Sequence, residues 1–186
     1  LALLLDHGAE VDADDMYGGT PSRAAAFAMK PDKLELLLNR GAQINHKRCP
    51  PLHAAATGVS NDPQSDRCVS LLLERGADVD IRDVDLGATP LHMAAAYRNT
   101  SAAMLLLHFG ADLDSLCRRR GDTPLHYACA GGHVETVEVM RLDCGARVQI
   151  SGGSDETCLC ADKEGPQRGE VVQALLTPTN VERFLL

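Results

Sequence analysis

The sequence predicts an all-helical solenoid, in which stacked helix-turn-helix units are joined by projecting, β-hairpin-like loops. Three observations predict it. The pair Gly-Ala recurs at Gly8, Gly41, Gly76, Gly110 and Gly145, at spacings of 33, 35, 34 and 35 residues. A second signature keeps the same beat: Thr20-Pro21-Ser22-Arg23, Pro50-Pro51-Leu52-His53, Thr89-Pro90-Leu91-His92 and Thr123-Pro124-Leu125-His126. Finally, 45% of the 186 residues are hydrophobic but only 3% aromatic, without a Trp. Globular cores draw much of their buried area from aromatics, so a chain rich in Leu and Ala suits thin helix-on-helix layers.

Each unit can be read in order. Thr followed by Pro marks a helix start, because the hydroxyl caps the orphan N–H groups and Pro at the first helical position loses no hydrogen bond. Small residues follow, as in Ala94-Ala95-Ala96, and let neighbouring helices approach closely. After a short break comes a second helix carrying a Leu run, seen at Leu3–Leu5, Leu36–Leu38, Leu71–Leu73 and Leu105–Leu107. Gly ends it, since Gly enters the left-handed conformation without strain. A polar stretch such as Asp83-Val84-Asp85-Leu86-Gly87 then turns back towards the next Thr-Pro. One such unit cannot bury its Leu face alone, so the units must stack.

With a period near 33 residues, the Thr-Pro-Leu-His opening and the Gly-Ala close resemble the ankyrin repeat. The resemblance covers roughly residues 1–149. It implies a curved stack of helix pairs, with the signature His hydrogen-bonded to the adjoining loop. It also implies partners lying along a concave face made by the hairpin tips and the first helices. The units expected are 1–12 (second helix and loop only), 13–45, 46–80 with a lengthened inter-helix loop, 81–114, 115–149, and a degenerate or capping unit over 150–186. Residue 1 is Leu and not Met, so the chain is expected to be cut from a longer protein, beginning inside a repeat.

The departures from the pattern are local. Ser22 and Arg23 stand where Leu and His would be, and Pro50 stands in place of the capping Thr. Gly41 to Pro50 is 9 residues against 13 from Gly76 to Thr89, which shortens that hairpin. The same unit gains residues around Gly58–Asp66, a Gly/Ser/Asn/Pro-rich loop. The incomplete first unit and these substitutions make residues 1–60 the expected weaker end.

Composition narrows the function. The net charge of −8 argues against nucleic acid as the main partner. The absence of an apolar run of 18 residues argues against a membrane span. Seven scattered cysteines read as reduced thiols of an intracellular protein, cytoplasmic or nuclear. His53, His92, His126 and His133 attract attention first, but the first three hold the same slot in successive units and His133 also follows the pattern of the resembled family, so they read as structural. Cys129 reads as a small packed hydrophobe. Cys158 and Cys160 have no second pair at zinc spacing. No phosphate loop, paired-carboxylate pattern or nucleophile elbow is present. No enzymatic activity, catalytic residue, metal or cofactor is therefore expected.

Protein binding is the expectation that survives, as an interaction scaffold within a larger protein and as a monomer. The fifth, eighth and ninth positions of each unit should face the groove: Ala24, Phe27 and Ala28; Ala54, Thr57 and Gly58; Met93, Ala96 and Tyr97; Tyr127, Ala130 and Gly131. Phe27, Met93, Tyr97 and Tyr127 are thus the candidate apolar anchors, with Tyr17 on a tip beside them. The tips change charge along the stack: acidic at Asp12, Asp14 and Asp15, basic at His46, Lys47 and Arg48, mixed at Arg82, Asp83 and Asp85. The fourth tip, Arg118-Arg119-Arg120, is the densest charge cluster and could grip an acidic segment. The alternatives are a structural spacer array, or a substrate-recruiting segment of an enzyme whose catalytic domain lies outside this chain.

Overall fold

The computed structural model describes residues 1–16, 19–118, 120–143 and 170. The expected tip residues Tyr17 and Arg119, the cysteines Cys144, Cys158 and Cys160, and the degenerate unit over 150–186 lie outside the described residues, apart from Glu170. The elements are short helices without a strand among the described residues: α1 (Ala2–Asp6), α2 (Pro21–Phe27), α3 (Pro31–Asn39), α4 (Pro51–Ala56) and α5 (Pro63–Glu74). They continue as α6 (Pro90–Ala96), α7 (Thr100–His108), α8 (Pro124–Ala130) and α9 (Val134–Glu138), followed by a π-helical turn, Val139–Asp143.

Even-numbered helices form one layer, α2 on α4 on α6 on α8, and α3, α5, α7 and α9 stack as the other. Between the layers lie Leu34, Leu37, Leu52, Leu72, Leu91, Leu106, Leu125 and Met140, all fully buried. Burying one such side chain is worth about 1.5–3 kcal/mol. The alanines of the first layer, including Ala26, Ala55, Ala56, Ala94, Ala95 and Ala128, are solvent-free and set the close approach of that layer. The first unit is the exception, since α1 buries none of its residues. Only Leu5 and Val11 of that end pack on the core, with an Arg40–Asp6 ion pair at 2.8 Å beside them.

The glycine that closes each second helix has a positive φ, +85° at Gly8, +87° at Gly41, +86° at Gly76 and +88° at Gly110, as a left-handed stop requires. The turn between the two helices of a unit also needs a left-handed residue, at Met29 (φ 51°), Asn61 (φ 60°), Arg98 (φ 57°) and Gly132 (φ 69°). The π-helical turn gives the fifth unit room for its extra residue: Gly110 to Gly145 is one longer than Gly76 to Gly110.

Backbone links between units run through the loops. Asp12 accepts from the Gln43 N–H at 3.0 Å, Asn45 from Asp78 at 2.9 Å and Asp80 from Asp112 at 3.0 Å. One side-chain oxygen per unit thus satisfies a loop N–H one repeat further on.

Candidate functional site

The signature histidines are where the stack is stitched. The Thr89 backbone N–H donates to His92 Nδ1 at 3.1 Å, and the Thr89 hydroxyl lies 2.8 Å from the same nitrogen. Nδ1 is therefore the acceptor and the ring proton sits on Nε2, which donates to the Asp122 carbonyl of the next loop at 3.0 Å. Thr123 and His126 repeat the same cap, at 3.1 and 2.7 Å. It is a capping box in which His takes the place usually held by Glu. Burial pulls the His92 pKa down to about 4, against the opposing hydrogen bond to Asp122. The ring is held neutral, with one nitrogen engaged by the cap and the other by the next loop.

His53 differs. Its Nε2 donates to the Ala88 carbonyl at 2.8 Å, but Pro50 has neither an N–H nor a hydroxyl, and the buried His53 Nδ1 has no hydrogen-bond partner. Burial lowers its pKa as well, opposed by Ala88 and Asp83. In the second unit, Thr20 caps through Arg23 N–H at 3.3 Å and meets the Ser22 hydroxyl at 3.0 Å, replacing the His link with a local one. His133 Nε2 bonds to the Ala96 carbonyl at 3.0 Å.

The face of the first layer is uneven. Phe27, the last residue of α2, is 62% exposed, and Tyr97, which ends α6, is 61% exposed. Met93 is half-buried against the core. Tyr127 is half-buried too; its ring stands edge-on to His92 with centroids 5.2 Å apart. Burial and a contact with Cys117 push the Tyr127 hydroxyl up to about 12. It packs on the preceding unit more than it faces solvent. Among the positions expected to face the groove, Ala54 and Gly58 are buried. A Cβ on Gly58 would collide with the Ser65 hydroxyl and the Met29 methyl. In the third unit only Thr57 of the three groove positions keeps partial exposure.

The tips also differ from their formal charges. In the first, Asp12 is spent on Gln43, Asp15 accepts from Gly19 N–H at 2.7 Å to close its own turn, and Asp14 lies 3.7 Å from His46. Each of the three carboxylates thus has a neighbour within the chain, and His46 lies beside the first tip. Arg82, read from the sequence only as one charge of a mixed tip, is a clamp. Its guanidinium reaches the carbonyls of Gly87 at 2.9 Å and Leu116 at 2.6 Å and the Ser115 hydroxyl at 2.8 Å. Arg118 is positioned by the same neighbour, its N–H donating to Leu86 O at 2.7 Å while its stem lies over Gly87. Arg118 and Arg120 are exposed. Neither forms an ion pair among the described residues.

Among the described residues no cluster of His, Cys, Asp and Glu could hold a metal ion, and no helix is long and apolar enough to cross a membrane. Cys49, Cys68 and Cys117 are free thiols, and burial raises the Cys68 pKa to about 11, which makes it a packing residue. What the geometry defines is a rigid helical-repeat surface with exposed side chains on a repeating frame. The ankyrin-repeat family, in the form of three copies, matches residues 52–151, more than half of the chain. The chain belongs to that family, whose repeats are in general non-catalytic protein-interaction modules. The chain is 36% identical over 104 residues to the tyrosine-protein kinase HTK16 of Hydra vulgaris, covering 53% of this chain and 13% of the kinase. It is 35% identical over 94 residues to the human ankyrin repeat, SAM and basic leucine zipper domain-containing protein 1, covering 50% of this chain and 20% of that protein. The matched stretch thus spans a fifth or less of these relatives.

Proposed function

We propose that this chain is a protein-interaction scaffold within a larger protein, and that it grips its partner on the concave side of the first-helix layer. The observation that carries this reading is Tyr97: a large aromatic, 61% exposed, at the C-cap of a helix whose Pro90, Leu91, His92, Ala94 and Ala95 are buried. Such side chains cost little entropy to immobilise and commonly anchor interfaces. Met93 and Tyr127 form the half-buried floor beside it, and Phe27 is a separate apolar anchor beyond the third unit. Arg118 and Arg120, with Arg119 next to them in sequence, supply charge that orients an acidic segment and raises its on-rate, and Tyr17 belongs by sequence to the first tip, in the unit of Phe27. The units 1–12, 13–45, 46–80, 81–114, 115–149 and 150–186 serve as the frame, in a monomer of the cytoplasm or nucleus.

The test is a double charge reversal, Arg118→Glu with Arg120→Glu, measured against a captured partner at low and high salt. The reading expects a loss at low salt that shrinks as salt rises, because exposed charges are screened. Equal affinity at every ionic strength removes the tip from the site. A spacer array would instead retain no partner other than its own flanking domains.

A further inference from the structure

The second-helix layer carries a surface that the concave reading does not use. Counted back from the closing glycine, the sixth position is Glu35 in α3, Ser70 in α5 and Met104 in α7. The position just before that glycine is Arg40, Arg75 and Phe109. In the upstream units these slots hold polar side chains tied to one another: Arg75 reaches Asn39 at 2.9 Å and Glu35 at 3.3 Å, and Arg67 lies within 4 Å of Asp32 and Glu35. Helix α7, by contrast, contains no Asp, Glu, Lys or Arg. Its exposed side presents Met104, 53% exposed, and His108, and its C-cap residue Phe109, 42% exposed, stands edge-on to the His108 ring.

The borders of this strip are acidic. On one side α5 offers Glu74, exposed, while its arginines turn to α3. On the other side α9 carries Glu135 and Glu138, both exposed. They stand two and five residues after its cap His133, as Ser101 and Met104 stand after Asn99, the cap of α7. The buried Thr100–Thr136 hydroxyl contact at 2.9 Å holds α7 and α9 side by side. None of the three glutamates forms an ion pair among the described residues. An apolar strip flanked by these carboxylates complements one kind of occupant.

We propose that the outer face of α7 is a second docking surface, and that it takes a basic amphipathic helix of a protein partner. Its apolar stripe would lie on Met104 and Phe109 and its Lys or Arg flanks would meet Glu74, Glu135 and Glu138. The same carboxylates disfavour an anionic lipid surface. They also disfavour a second copy of this chain, because a two-fold contact would set glutamate against glutamate.

The probe is a fluorescent stapled helix with Leu at i, i+4 and i+7 and Lys on both flanks, titrated against the full chain by anisotropy. A sibling carries Glu in place of Lys. The Lys helix should bind the natural chain and the Glu helix should not. Met104→Glu should weaken the Lys helix by about tenfold or more, and Glu135→Lys with Glu138→Lys should exchange the preference between the two helices. Tyr97→Ala should leave both titrations unchanged. All four positions are exposed, and circular dichroism verifies the fold of each variant. No binding of the Lys helix, equal binding of both helices, or an affinity indifferent to Met104→Glu overturns the proposal. So does a dimer, seen by light scattering, that Met104→Glu dissolves, since it makes a second copy the occupant.

Discussion

Replacing Pro50 with Thr should stabilise the third unit, and the amount can be worked from its neighbours. In the fourth and fifth units the Thr N–H and hydroxyl both engage the Nδ1 of the signature His, at 2.7 to 3.1 Å. In the third unit the equivalent nitrogen of His53 is buried without a partner. Pro50 sits at φ −61°, ψ 129°, in the extended region that Thr89 also occupies, so Thr fits there and the following Pro51 favours the same region. A recovered N-cap is worth about 1 kcal/mol, and satisfying a buried polar atom about 1 kcal/mol more. Losing the restraint that Pro places on the unfolded chain costs about 0.4–1 kcal/mol. The net gain is about 1–1.5 kcal/mol, seen as slower hydrogen exchange across α4 and α5 and a Tm raised by about 2–5 °C. The imidazole nitrogen shifts of His53 report the bond directly. A variant with unchanged exchange in α4 and α5, or with an unaltered Nδ1 shift, would refute the reasoning.

The neutral His92 gives a pH dependence of defined sign. Its folded pKa of about 4 lies below the ordinary 6.5, so the unfolded chain binds the proton first. Stability is undiminished above pH 6.5 and falls as pH drops towards 4, by about 3 kcal/mol from this ring, with His53 acting in the same direction. Urea titrations of the natural chain and His92→Gln across that range isolate it, since the variant should lack that part of the slope. Arg98 holds a left-handed φ where the fifth unit has Gly132. Arg98→Gly should be neutral or stabilising by up to about 1 kcal/mol, whereas the β-branched Arg98→Val should cost about 1–2 kcal/mol; matched unfolding curves compare the two. Leu106→Ala, in the solvent-free core, should cost about 2–5 kcal/mol, whereas Leu3→Ala at a 70% exposed site should change stability by less than about 0.5 kcal/mol. Because α1 buries nothing, residues 1–12 should exchange amide hydrogens before α6 to α8 do; uniform protection would contradict that order.

Much of this architecture is legible in the sequence, because period and punctuation encode it. Gly41, Gly76 and Gly110 stop helices as their spacing implies, and His53 and His92 bond to the loops that follow them. What the sequence hid depends on which atoms meet across units. Pro50 is visible as a lost cap, but that it strands a buried nitrogen of His53 follows only from the cap geometry at Thr89 and Thr123. Ala54 and Gly58 occupy groove positions by count, yet both are buried, and Gly58 lies against Ser65 of its own unit and Met29 of the preceding one. Arg82 looks like any tip charge until its three acceptors on two loops are seen. The apolar character of α7 was readable as a Leu run. Its exposed side became evident only when Met104 and Phe109 fell in slots that the upstream units fill with polar side chains.

The central claim is that Tyr97 and the Arg118/Arg120 tip form one protein-binding face. The most direct measurement is quantitative affinity capture with the folded chain, beside a variant carrying Tyr97→Ala, Arg118→Glu and Arg120→Glu. The account expects a protein retained by the natural chain and lost from the variant, with the same thermal unfolding for both. A protein retained equally by both chains would contradict it.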